Sequence, residues 1–402
     1  MKKTLLLLVS LILLTGLLYG CADDTAPAGG GAAPAAPAGG FTGDPIYIAM
    51  HCPLTGDVAE IGVHYIHASA IAADNINAAG GINGRELRII PYDTRNDPRE
   101  NADIARRVVN NPRYVMSLGD WSTSGVMAAL PIYDEEQMVH FTPSASGPII
   151  GETSHFAFQM FGLQTDDAPF VARELLRNYM GFERVAVIHF NTDWGFIALD
   201  NFAREAERVG LEITSAEPIA TGEMDFRAVL SSIRRDEPDA IYILANYSEV
   251  AGIVNQRNAM GWDIQIVPSK TAITGQLIEM LGSAAEGLMT NQAFVVREDD
   301  TRMQEFMAEF QRRSGIPIAY SSLLVYDSVM AIAAAMERLG DNLNRQTIAD
   351  ELYHTSMEGL LGHFEFNEFG QVHRVYYILR FENGEWVQLT DFYPDGSIRR
   401  LR

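Results

Sequence analysis

Two short segments concentrate hydroxyl groups where a ligand could use them. Gly119-Asp120-Trp121-Ser122-Thr123-Ser124-Gly125 follows the strand-like run Tyr114–Leu118 and leads into a helical pattern continuing through Tyr133. Three hydroxyls beside the free backbone amides of a helix start make an anion pocket suited to a carboxylate. Pro143-Ser144-Ala145-Ser146-Gly147 repeats the arrangement directly after the next strand-like run, Met138–Thr142. One such loop could be an ordinary capped turn, but two in consecutive strand-to-helix connections point to a shared binding site. Trp194 follows a strand ending at Phe190 and Tyr247 follows one ending at Ala245, and rings there can close over a ligand's apolar body.

Lys270 is the most distinctive single residue. Of the 30 Lys+Arg residues only Lys2, Lys3 and Lys270 are lysines, and Lys270 stands just beyond the strand-like run Ile264–Pro268. A compact point charge there could meet a ligand anion or act as a perturbed base. Used as a Schiff-base amine it would make an enzyme, but no acid–base partner can be assigned to it. The motifs HExxH, GxxxxGK, GxSxG and CxxC are all absent. His64 and His67 share a helix face, have no further metal ligand nearby in sequence, and read as a solvated pair. A binding role is expected, without enzymatic activity, cofactor or metal.

Composition narrows the partners. The chain has 402 residues with 52 Asp+Glu and a formal net charge of −22. That excess argues against nucleic acid, which needs a basic footprint, and against electrostatic docking on anionic lipid. With 47% hydrophobic and 20% charged residues the chain is ordinary globular material. Two cysteines support neither a Cys-rich zinc site nor a disulfide scaffold.

The first residues read as an export address. Met1-Lys2-Lys3 precedes the apolar run Leu5–Leu18, which is shorter than the ~20 residues a membrane span needs. Leu18-Tyr19-Gly20-Cys21 resembles the lipobox of bacterial lipoproteins, which implies cleavage after residue 20 and a lipid on Cys21. An ordinary secretory signal with an incidental cysteine is the alternative. Residues 21–43 read as a flexible Gly/Ala/Pro tether, and a lipidated Cys21 would leave Cys52 without a disulfide partner.

The elements that must position these loops alternate. Strand-like runs at Ile46–Met50, Leu87–Tyr92, Tyr114–Leu118, Met138–Thr142, Val185–Phe190, Ala240–Ala245 and Ile264–Pro268 are separated mostly by amphipathic stretches. Examples are Ile61–Ile76, Ile104–Val109, Phe170–Tyr179, Leu199–Val209 and Phe226–Ile233. Asp97-Pro98 reads as an N-cap followed by proline at the first helical position. Strands separated by helices mean right-handed crossovers and parallel sheets. The pattern restarts near Arg184, so the expected fold is α/β with two doubly wound parallel-sheet lobes. Beyond residue 300, helices are expected at Thr301–Arg313, Ser321–Leu339 and Arg345–Tyr353. Strands are expected at Gly362–Phe366 and Val372–Phe381, with Asn383-Gly384 as a hairpin turn.

From Asp44 to about Asp395 the chain resembles type I periplasmic binding proteins, in particular the leucine/isoleucine/valine-binding branch serving ABC importers. The resemblance rests on Pro53-Leu54-Thr55-Gly56, on Asp74 through Gly84, and on Tyr92-Asp93 with Asp97-Pro98. Ile132-Tyr133, Thr142 through Ser146, Tyr247-Ser248-Glu249 and Ala284-Ala285-Glu286-Gly287 continue it in order. It implies two lobes joined by three hinge crossings, here near Phe161, Phe294 and Phe366. Lobe 1 would then hold residues 44–161 and 294–366, and lobe 2 residues 162–293 and 367–402. Thr123 matches the family's carboxylate-binding hydroxyl, while Ser144 and Ser146 fall where it uses a backbone carbonyl and a threonine. Ile61, Trp194 and Tyr247 match pocket-lining positions, beside Trp121 and Ser122 of the first loop.

Lys270 falls where leucine-type binders place a glutamate against the ligand's ammonium. A lysine facing an ammonium in a closed cleft would be repulsive. The ligand is therefore expected to lack a simple α-ammonium at that spot or to bring a second anion, as aromatic or aliphatic carboxylates and dicarboxylates would. Asp120 could pair with an ammonium from the other lobe, which keeps amino acids open. The resemblance implies capture outside the cytoplasm by a lipid-anchored monomer on the periplasmic side of the cell membrane, with delivery to an ABC permease. A sensor feeding a signalling receptor is the alternative.

Overall fold

The computed structural model describes residues 41–147, 149–294, 300–392 and 398–401. The expected signal, the lipidation at Cys21 and the tether up to residue 40 lie outside the described residues. The tether's expected end is corrected: Thr42 N–H donates to Gly84 O at 2.8 Å and Gly43 already pairs with Arg85.

The first half alternates strand and helix as β1 (Gly43–Cys52), α1 (Ala59–Ala78), β2 (Arg85–Asp93), α2 (Pro98–Val109), β3 (Tyr114–Leu118), α3 (Thr123–Glu135) and β4 (His140–Thr142). The short α4 (Ile149–Glu152) and β5 (Ala157–Gln159) complete it. Its parallel sheet runs β2-β1-β3-β4-β5. Asp97 caps α2 by accepting from Arg99 N–H at 2.7 Å, with Pro98 in the first turn where no donor is missed.

The second half begins with α5 (Gln164–Phe170), six residues earlier than the sequence pattern suggests, and continues as a wider helical turn over Val171–Tyr179. Next come β6 (Arg184–Phe190), α6 (Asp193–Val209), β7 (Glu212–Ile219), α7 (Arg227–Arg235), β8 (Ala240–Leu244), α8 (Tyr247–Ala259), β9 (Gln265–Pro268) and α9 (Gly275–Leu281). This parallel sheet runs β7-β6-β8-β9, so both sheets place their first strand between the second and third. Such a reversal of strand order opens a crevice at the carboxyl ends of the strands.

The remaining elements are β10 (Met289–Gln292), α10 (Thr301–Ser314), α11 (Tyr320–Leu339), α12 (Arg345–Tyr353), the hairpin β11 (Ser356–Gly359) and β12 (Gly362–Glu365), then β13 (Tyr377–Glu382) and β14 (Glu385–Gln388). The apolar faces of α10 and α11 pack on α1, whereas β10, β13 and β14 form an antiparallel sheet beside β9. Short strands β15 (Thr390–Phe392) and β16 (Ile398–Arg400) pair at the end. Asn383 and Gly384 both have positive φ, as the β13–β14 turn requires. The strand expected from Val372 starts only at Tyr377, because Gln371 bridges to Gln159 of the first sheet before the chain reaches the second. His64 corrects the expected solvated pair: it is buried and stacks on Phe310 at 5.4 Å.

Candidate functional site

The site grows from the end of β3. Gly119 has φ +109°, and a Cβ there would run into the His51 carbonyl, so the strand can turn into α3 at this point only through glycine. The turn sends Asp120 inward. Its carboxylate accepts from the backbone N–H of Trp121 and Ser122, from Asn101 Nδ2 at 2.8 Å and from Thr94 Oγ1 at 3.3 Å. Burial pushes its pKa up to about 6, those hydrogen bonds opposing. Asn101 directs its N–H to Asp120, so its carbonyl accepts from His51 Nδ1 at 3.0 Å, while Tyr133 donates to His51 Nε2 at 2.6 Å. Asp120 is thus enclosed by its own chain as the anchor of the loop. The expectation that it could pair with a ligand's ammonium is corrected.

The same turn presents the hydroxyls outward. Ser122 caps α3 by accepting from Gly125 N–H at 2.9 Å. Thr123 Oγ1 is buried without a protein partner, and Ser144 Oγ is buried beside the Tyr65 hydroxyl. Thr142 stitches the two loops together, its hydroxyl donating to Asp120 O and accepting from Ala145 N–H, both at 3.0 Å. Trp121, Ser122, Thr123 and Ser144 all line a cavity of about 290 Å³ between the two halves. Ser146 is buried with an unpartnered hydroxyl in the same loop but does not line it.

The second half closes the cavity with Trp194 from the first turn of α6 and Phe190 from the end of β6. Tyr247 does not line it: its hydroxyl donates across to the backbone carbonyl of Asp57 at 2.9 Å. Sequence reasoning missed Asn96, Thr192, Thr221, Asn246 and Thr271, which also line the cavity. Each stands two or three residues past the end of β2, β6, β7, β8 or β9, so the strand-end rule would have found all but Thr221, whose strand β7 the sequence pattern does not mark.

Lys270 is turned elsewhere. It is 1% exposed, and its ammonium pairs with the carboxylate of Asp167, which also accepts from Asn291 Nδ2. The rings of Phe161 and Tyr376 lie 4.4 and 4.8 Å from the ammonium. Burial lowers the lysine's pKa and Asp167 opposes that shift. The expectation that this charge meets the ligand is corrected, since the chain supplies the counter-ion itself. Ile61 lies with Lys270 on a minor hollow beside the cavity, sharing Trp121 and Thr271 with it. Among the described residues no cluster of side chains could hold a metal ion, and no helix is long and apolar enough to cross a membrane.

Comparison with known proteins gives a consistent result. The family described as periplasmic binding protein matches residues 45–385. The leucine-, isoleucine-, valine-, threonine-, and alanine-binding protein of Pseudomonas aeruginosa is 26% identical over 333 residues, covering 82% of this chain and 87% of that protein. The Leu/Ile/Val-binding protein of Escherichia coli K12 is 28% identical over 254 residues, covering 61% of this chain and 67% of that protein. A solved leucine-binding protein from Thermotoga maritima shares the fold, with a TM-score of 0.79 at 24% identity over 87% of this chain and 99% of that one.

Proposed function

Because the chain belongs to the periplasmic binding protein family, we propose that it captures a small amino acid or related carboxylate outside the cytoplasm and presents it to an ABC permease. The observation that carries this reading is the buried, unpartnered Thr123 hydroxyl at the N-terminus of α3, beside the buried Ser144 hydroxyl of the loop after β4, in a cavity that both halves line. Buried polar groups are normally hydrogen-bonded, so an orphan hydroxyl facing a cavity calls for a partner from outside the chain. A carboxylate supplies acceptors for both hydroxyls and for the helix amides.

Capture proceeds by closure. The first half offers the hydroxyls, and the second half brings Trp194, Phe190 and the polar strand ends over the bound solute. The hinge consists of three crossings near Phe161, Phe294 and Phe366, dividing the chain into 44–161 with 294–366 and 162–293 with 367–402. The contacts of α10 and α11 with α1 support that division, as does the pairing of β13 with β10. A lipid on Cys21 tethers a monomer to the membrane. The named relatives are binding proteins, and this chain binds without turnover.

A thermal-shift panel of amino acids, other carboxylates, sugars and amines on the purified full chain tests the reading. A carboxylate-bearing solute should raise Tm by several degrees, and Thr123→Ala should remove most of the rise. Stabilisation by sugars or amines alone would sink it.

A further inference from the structure

Resting on carboxylate capture, we infer that the solute carries no ammonium: it is a monocarboxylate whose apolar body lies against Trp121, Phe190 and Trp194. Among the described residues lining the cavity, none bears a formal charge. Four carboxylates on the segments that flank it, Asp120, Glu249, Asp93 and Asp167, have partners within the chain. Asp120 accepts from Asn101 and Thr94 and faces away from the cavity. Glu249 accepts from Gly222 N–H at 2.8 Å and Ser248 Oγ at 2.9 Å, and Asp93 accepts from Leu54 and Arg95 N–H, each at 2.9 Å. Asp167 holds Lys270.

The two ends of a zwitterion therefore meet unequal surroundings. Its carboxylate finds hydroxyls and the N-terminal end of α3, which favours negative charge. Its ammonium would find only uncharged side chains such as Asn96 and Asn246. Enclosing an ammonium without an anionic partner is heavily penalised, whereas the carboxylate end of the cavity needs no cation. The buried, unpartnered Asn96 Oδ1 takes a neutral donor such as a hydroxyl at far lower cost. The cavity of about 290 Å³ has the room of roughly ten water molecules, enough for a small aromatic or branched acyl acid.

Calorimetry of the purified full chain with matched pairs tests this: leucine against 4-methylpentanoate, and phenylalanine against 3-phenylpropanoate. The acids without an amino group should bind roughly 100-fold tighter than their partners. Equal or tighter binding of either amino acid, or tight binding of glycine betaine through the tryptophans, overturns the inference while leaving solute capture standing. Failure of every carboxylate to bind overturns the capture reading as well. In Asn96→Asp, with its fold checked by circular dichroism, an anion enters the cavity and the preference should shift at least about tenfold towards the amino acids. An unmoved preference in that variant overturns the assignment of this cavity.

Discussion

The Tyr247 hydroxyl donates to the Asp57 carbonyl at 2.9 Å, joining the segment after β8 to the segment after β1 across the cleft. Burial, reinforced by Glu60, Glu249 and Asp57, pushes the phenol's pKa up to about 12, so it remains a donor at any physiological pH. Under the proposed closure mechanism this bond forms when the halves meet and breaks when they part. Tyr247→Phe keeps the ring and loses about 1 kcal/mol, so solute affinity should fall roughly fivefold. Calorimetry reads the affinity, and small-angle scattering should show a larger ligand-free radius. An unchanged affinity would separate this bond from closure.

Thr123 and Ser144 should matter more. A hydrogen bond to a charged acceptor contributes about 1.5–3 kcal/mol, so Thr123→Ala and Ser144→Ala should each weaken binding roughly 10- to 100-fold. Thr123→Ser should restore most of the loss, because it keeps the hydroxyl. Titration of all three variants with one bound acid provides the comparison. Equal losses in Thr123→Ala and Thr123→Ser would assign the effect to packing.

Lys270 should behave as part of the frame. Lys270→Met leaves Asp167 buried without its cation and should cost about 3–5 kcal/mol of stability. Adding Asp167→Asn removes the stranded charge and should recover most of it. Urea unfolding at pH 7 measures both variants. A Lys270→Met protein of normal stability but impaired binding would return the lysine to the ligand.

Acid should weaken the fold through His51. Its ordinary pKa of 6.5 applies to the unfolded chain, and burial pushes the native value down to about 4. Between those values the native state holds fewer protons, so this contribution is complete above pH 6.5 and is lost as pH falls towards 4. Asp120 acts in the opposite direction over much of the same window, because its native pKa is raised to about 6. His51→Gln isolates the histidine. The wild type should lose up to about 1.4 kcal/mol more per pH unit than the variant in this window. Unfolding midpoints at pH 7, 5.5 and 4.5 give the difference, and parallel pH profiles would show that His51 does not contribute.

The geometry of the first hydroxyl loop was legible because everything that shapes it is local: a strand end, a glycine and a capping serine within the seven residues Gly119–Gly125. Strand β7 was not legible. It is a partly exposed edge strand with Pro218, so neither an apolar run nor a clean alternation marks it. The rarity of lysine was visible, but the direction of Lys270 depends on Asp167, 103 positions earlier, which no spacing rule connects to it. Tyr247 shows the same limit. It was correctly placed beyond a strand end, yet its partner Asp57 lies 190 positions away in the other half.

The enclosure of Lys270 also shapes what a protein chemist can do with this molecule. With its nitrogen sealed between Phe161, Tyr376 and Asp167, the folded body from residue 41 onward shows amine-directed dyes and crosslinkers no lysine to attack. Reagent that does become attached to Lys270 records the moments when the aromatic rings around it separate, so slow acylation of one residue becomes a clock for the opening of the fold.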